Sequence, residues 1–317
     1  HPPAAGHVAR IGGLEPETAR AYLTGRGVAE SRHESILEFA GGNWLVLELA
    51  AGYEADRRAN SGDREEKTVG IYRQILDLLK NRLNWEKQLK PVLAVLSAAI
   101  GDGPVLPFSI FAEAVRGLGG PDTRAELYRV LGEEQLYRLV DRAKPGTDDE
   151  AVGLFHATLK DWLATKVFSL EEMRQVHSVL VDAIEAVAPR GSSRIEMPPE
   201  VYAAAAQAGH AWQGRREEEV TGILAWRMSP IPRENLAVWL EWGKRLKGRF
   251  GAESEYTLRT RNEIAAWAGR TGEAQEALRL FRELLPDQER VLGRDHPDTL
   301  TTRGNIAYWT SRTGEAP

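Results

Sequence analysis

The chain repeats itself at a fixed shift of 42 residues. Phe250-Gly251-Ala252-Glu253-Ser254-Glu255-Tyr256-Thr257-Leu258 recurs as Leu292-Gly293-Arg294-Asp295-His296-Pro297-Asp298-Thr299-Leu300. Thr260-Arg261 returns as Thr302-Arg303, Ile264-Ala265 as Ile306-Ala307, Trp267 as Trp309, and Arg270-Thr271-Gly272-Glu273-Ala274 as Arg312-Thr313-Gly314-Glu315-Ala316. A period of this size marks an array of helical or strand units, each too small to bury its own apolar face. The spacing makes each unit a helical hairpin. Thr257 or Thr299 reads as the cap of the first helix, and Gly272 or Gly314 as the residue that permits the tight turn. Ala274 reads as the small residue that lets the second helix pack closely. Leu278, Leu280, Phe281, Leu284 and Leu285 then form the face that buries against the next unit.

Residues 292–300 carry an intact L-G-x-x-H-P-x-T-L pattern. In this they closely resemble the long tetratricopeptide repeat of kinesin light chain type. The resemblance implies an α-solenoid over 250–317 that binds a protein ligand, with further repeats beyond Pro317. His296-Pro297 is then a turn element, since no second histidine or cysteine stands near enough in sequence to make a metal site. Both ends of the chain read as cut from a longer protein.

A second feature lies in Gly153-Leu154-Phe155-His156-Ala157-Thr158-Leu159-Lys160-Asp161-Trp162-Leu163. Here a strand leaves the Pro145-Gly146 turn and passes into an amphipathic helix. A histidine at that junction can feel an anion lying against the helix N-terminus. The plain alternative is a histidine satisfied by a nearby carbonyl. Upstream, Ile71, Ile75, Leu78, Leu79 and Leu83 make one helical stripe, and Leu89, Val92, Leu93, Val95 and Leu96 another. Pro107 opens a third helix closed by Gly117, and Asp122 or Thr123 begins a fourth through Leu131. Leu136 to Arg142 and Val152 to Phe155 then read as a hairpin. Helices, hairpin and closing helix make residues 70–168 a winged helix. Such domains often bind DNA, but the stretch 144–150 holds three acids against one lysine, which a phosphate backbone would repel. The expectation is no nucleic-acid partner.

On either side the reading is helical. Residues 1–52 hold two helices and a third apolar element from Asn43, and 53–69 are polar enough to read as a flexible linker. Residues 169–249 form a helical connector that starts with a capping box, Ser169-Leu170-Glu171-Glu172. Tryptophans 212, 226, 239 and 242 fall there, to be read as packing between helices or as an aromatic box for a ligand.

Residues 155–163 also match an F-H-x-[ST]-[FL]-x-[DE]-[FYW]-L pattern, and Gly41-Gly42-Asn43-Trp44-Leu45-Val46-Leu47-Glu48-Leu49-Ala50 is similar to G-G-x-P-L-A-L-x-L-A. Both patterns belong to the STAND class of signalling ATPases (NACHT and NB-ARC proteins), which the chain resembles in the order helical domain, loop, winged helix. The resemblance implies that His156 reaches the phosphate of ADP bound to a nucleotide domain of the same polypeptide. It also implies that Trp44, standing where the family has proline, lies on the adenine side; the alternative for Trp44 is a core position. ATP or ADP with magnesium would belong to the full-length protein, and sister protomers would join it on activation.

The rest of the sequence limits the chemistry. There is no cysteine, so disulfides, thiolate catalysis and cysteine metal sites are excluded. The net charge of −5 comes from 41 basic and 46 acidic residues without a basic block. No apolar run is long enough to span a membrane. No phosphate loop G-x-x-x-x-G-K-[ST] is present, so the chain itself is not expected to be an enzyme, or to bind a cofactor or metal. The reading is therefore a mainly α, cytoplasmic regulatory segment of a STAND-type ATPase. The alternatives are a tetratricopeptide adaptor without nucleotide switching and a winged-helix transcription regulator.

Overall fold

The computed structural model describes residues 15–40, 47, 50–51, 64–137, 139–155, 157–191 and 197–314. Among them helix dominates, with one small three-stranded sheet. The chain divides into two compact units, His1–Ala183 and Ile184–Pro317.

The first unit opens with α1 (Pro16–Gly25) and α2 (His33–Ala40). Proline suits the first helical position, where its missing N–H would have had no partner. Ala19, Leu23 and Ile36 are buried, and so is His33, whose Nε2 lies 3.0 Å from the Val28 carbonyl. Of the third apolar element only Leu47, Ala50 and Ala51 are described, all buried; Trp44 lies outside the described residues.

Helix α3 (Arg64–Arg82) starts inside the stretch that reads as a linker. Its polar first turns are good helix formers and extend the apolar helix backwards. Leu78 departs from the expected stripe and is exposed. A π-helical turn, Trp85–Leu89, capped by Asn84, leads into α4 (Lys90–Ala98). Every residue from Pro91 to Ala98 is buried, which makes α4 the central helix of this unit.

Around α4 follow β1 (Leu106–Pro107), α5 (Phe108–Gly117), α6 (Arg124–Leu131), α7 (Glu134–Tyr137), β2 (Val140–Ala143) and β3 (Ala151–Leu154). Both strand pairs are antiparallel and the order is β1-β3-β2. The hairpin is shorter than its sequence pattern: Leu136 and Tyr137 are helical, and pairing starts at Val140↔Leu154. Leu106-Pro107, which reads as a helix start, adds an edge strand, a place where a residue without an N–H can sit. Gly153 is required at the centre of β3, because a Cβ there would overlap the Gly103 carbonyl. Thr123 and Glu126 form a full capping box on α6. Helix α8 (Ala157–Trp162) runs into a second π-helical turn and then α9 (Leu170–Val187). The Ser169–Glu172 box is present: Glu172 accepts from the Ser169 backbone at 2.8 Å and pairs with Lys90, which holds its carboxyl at about 2.

One acid differs sharply from its sequence context. Glu150 is fully buried rather than part of an exposed acidic wing. Burial opposes its charge, but the Tyr128 hydroxyl, the Gly146 N–H at 2.9 Å and Arg142 Nε at 2.9 Å outweigh it, so its pKa is lowered. Arg124 also reaches it, at 3.3 Å. Two arginines of this unit are thus committed to one internal carboxylate.

The second unit takes up the end of α9 and continues through α10 (Pro198–Gln213), α11 (Val220–Trp226), α12 (Pro232–Phe250), α13 (Glu255–Arg270), α14 (Ala274–Val291) and α15 (Pro297–Thr313). The last four pack consecutively, each helix on the next. Trp239 and Trp242 are core, with Trp212 edge-on to Trp242 at 5.7 Å, whereas Trp226 is 62% exposed. No aromatic box forms among them. The Arg227 side chain, 7% exposed, fixes the loop after α11 by donating to Gln207 at 2.9 Å and to the Ala188 carbonyl.

Candidate protein-binding groove in the repeats

The two copies of the repeat build the same joint twice. Gly251 and Gly293 adopt left-handed φ values of 86° and 97°, which an L side chain resists. Their carbonyls accept hydrogen bonds from Thr257 Oγ1 at 2.8 Å and Thr299 Oγ1 at 2.9 Å. These threonines are buried in the first turn and tie it back to the loop, so they are not the caps their position in the motif suggests. Ser254 caps α13 by accepting from the Thr257 N–H, and His296 caps α15 by accepting at Nδ1 from the Asp298 N–H at 3.2 Å. The acceptor role leaves the proton on Nε2. Pro297 follows at the first helical position. No group of metal-ligating side chains occurs among the described residues.

Gly272 and Gly314 adopt left-handed φ values of 97° and 71°. Ala274 opens α14 half-buried, whereas the close packing comes from Ala265 and Ala277, which form a core with Phe281. Leu278 and Leu284 are fully buried, while Leu280 and Leu285 are partly exposed. Thr302 donates to Asn262 at 3.1 Å and so links the second copy to the first.

Between α13 and α15 lies an open cleft of about 560 Å³. Ala266 and Gly269 form part of its lining, and the Trp309 ring packs so close to Gly269 that a Cβ there would overlap it. Asn305, Tyr308, Arg270 and Arg312 complete the walls. Sequence reasoning named the glycines and threonines that shape this region but not the side chains facing the cleft. The signal was present, since Arg270 and Arg312 are themselves one repeat apart.

A tetratricopeptide repeat family model matches residues 257–298. The match runs from α13 through α14 into the first turn of α15, a span equal to the 42-residue shift. Residues 257–298 are a tetratricopeptide-type repeat. No curated protein and no solved structure matches the chain.

The site expected around His156 is only partly visible, because His156 lies outside the described residues. Its neighbours Phe155 and Ala157 border a pocket of about 190 Å³, together with Gly101, Gly103, Gly153 and Lys160. Lys160 Nζ donates to the Gly101 carbonyl at 2.8 Å. No helix among the described residues is long and apolar enough to cross a membrane.

Proposed function

We propose that the chain is a protein-binding control segment whose repeats receive a partner in the cleft between α13 and α15. The observation carrying this is the twice-built Gly–Thr joint, which stacks helices 42 residues apart and leaves a lined, open groove between them. Tetratricopeptide repeats generally mediate protein–protein contacts. Site-specific photocrosslinking tests this reading in the cell that makes the protein. A photoreactive residue at Tyr308, which is 52% exposed, is expected to capture a partner protein. The same residue at exposed Lys244 on α12 is expected to capture none. Equal labelling from both positions would contradict the reading.

The finer proposal is that this segment belongs to a STAND-type signalling ATPase. The element order α4, β1, α5, α6, the single-turn α7, β2, β3, with sheet order β1-β3-β2, supports reading residues 70–168 as a winged helix. The solenoid reading of 250–317 is supported by the consecutive packing of α12 to α15. Arg124 and Arg142 are spent on Glu150 and are not free to reach a phosphate backbone, which favours the switch over a DNA-binding regulator. In this proposal the segment holds an ADP-bound nucleotide domain closed through His156, with Trp44 on the adenine side. Partner binding shifts the population to the open form, because the partner binds that form more tightly. Magnesium and nucleotide belong to the full-length protein, and sister protomers assemble after release.

A further inference from the structure

We infer that residues 286–300, the end of α14 with the loop and first turn of α15, form a salt-sensitive hinge between the two copies of the repeat. Pro286 stands inside α14 and has no N–H to bond the preceding turn, the commonest cause of a weak point in a helix. Apolar anchoring also stops there. Ala277, Leu278, Phe281 and Leu284 are buried, and beyond them the only buried side chain of α14 is Gln288. Gln288 is fully enclosed, yet neither its Oε1 nor its Nε2 has a hydrogen-bond partner among the described residues. An enclosed amide left unpaired works against the packing that surrounds it.

Ion pairs hold this stretch instead. Asp287 meets Arg261 of α13 at 2.7 Å, Glu289 meets Arg303 of α15 at 2.6 Å, and Arg290 meets Glu253 at 2.9 Å. The arginines keep the Asp287 and Glu289 carboxyls below their ordinary range, so both stay charged at neutral pH. All six side chains are at least 29% exposed, so the pairs are individually weak and screened by salt. The same joint one repeat earlier is apolar. Lys244 stands at the position of Pro286, fully buried Leu246 at that of Gln288, and the Phe250 and Tyr256 rings lie 4.7 Å apart where the later copy has Leu292 and Asp298. Farther along α15, Ile306 and Trp309 pack on the core of Ala265, Ala277 and Phe281. The hinge therefore lets α15 rock about that apolar anchor and changes the width of the α13–α15 cleft. Its use in binding rests on the protein-binding reading above; the hinge itself does not.

Amide hydrogen exchange of the whole chain, without partner, tests the hinge by comparing residues 286–300 with 244–258, their counterparts one repeat earlier. Raising salt to about 1 M, where the screening length is about 3 Å, is expected to speed exchange in 286–300 about fivefold, as loss of a few exposed ion pairs does. Residues 244–258 are expected to keep their rates. Gln288→Leu, which copies the earlier joint, is expected to slow exchange in 286–300 about tenfold by removing the unpaired amide. Should that variant melt early, Arg303→Gln on the surface decides: faster exchange at low salt supports the hinge, and unchanged exchange overturns it. Equal salt response in the two segments, or none in 286–300, would overturn it as well. A salt-indifferent joint leaves the protein-binding reading intact, and a failed crosslink at Tyr308 leaves the hinge standing.

Discussion

At the scale of single residues, repeat position and environment separate. Leu258 is fully buried, whereas Leu300, its counterpart 42 residues on, is 49% exposed. Leu258→Ala is expected to cost about 2–5 kcal/mol through the cavity it leaves, and Leu300→Ala less than about 1 kcal/mol. Chemical denaturation of the two variants measures the difference; equal losses would mean the two helices are equally covered. His177 gives the pH dependence. Burial, aided by the Lys160 charge, lowers its pKa from 6.5 to about 4. The unfolded chain therefore takes up this proton first, so the contribution of His177 is complete above pH 6.5 and is lost as pH falls toward 4. The shift corresponds to at most about 3 kcal/mol. His177→Gln is expected to flatten the stability profile in that window, and an unchanged slope would assign the acid sensitivity to other groups.

At the scale of elements, much was legible because period and punctuation agree. The capping box at Ser169 and the helix beginning at Thr123, one of the two starts its sequence offered, follow local rules that tertiary structure did not override. What was not legible depends on distant contacts. Leu106-Pro107 becomes a strand only because β3 runs beside it, and Glu150 looks solvated until Arg124, Tyr128 and Arg142 converge on it. The caps at Ser254 and His296 were missed because Thr257 and Thr299 are equally good capping residues three positions later. Gly153 offers the sharpest test of the sheet. Gly153→Ala forces a methyl group into the Gly103 carbonyl, so the loop before β1 must move. A loss of about 1–3 kcal/mol is expected, as for other overpacked sites. Wild-type stability would show that the loop yields freely.

At the scale of the whole molecule, the proposal joins two functions: a groove that receives a protein segment, and a body that restrains a nucleotide domain. The groove side was half legible, since the repeat located it but its charged walls come from residues that no turn or packing rule singles out. The restraint side rests on the stretch around His156 and on the winged-helix element order. A charge-assisted hydrogen bond from His156 to the ADP phosphate contributes on the order of 1.5–3 kcal/mol, about tenfold to a hundredfold in favour of the closed state. ADP release from the natural full-length protein, wild type against His156→Ala, tests this most directly, with the melting temperature of the nucleotide-free protein measured alongside. The account predicts that the wild type retains ADP and that the variant releases it at least about tenfold faster at an unchanged melting temperature. Wild-type ADP release in a variant that melts early, or a full-length protein that retains no nucleotide, would contradict it.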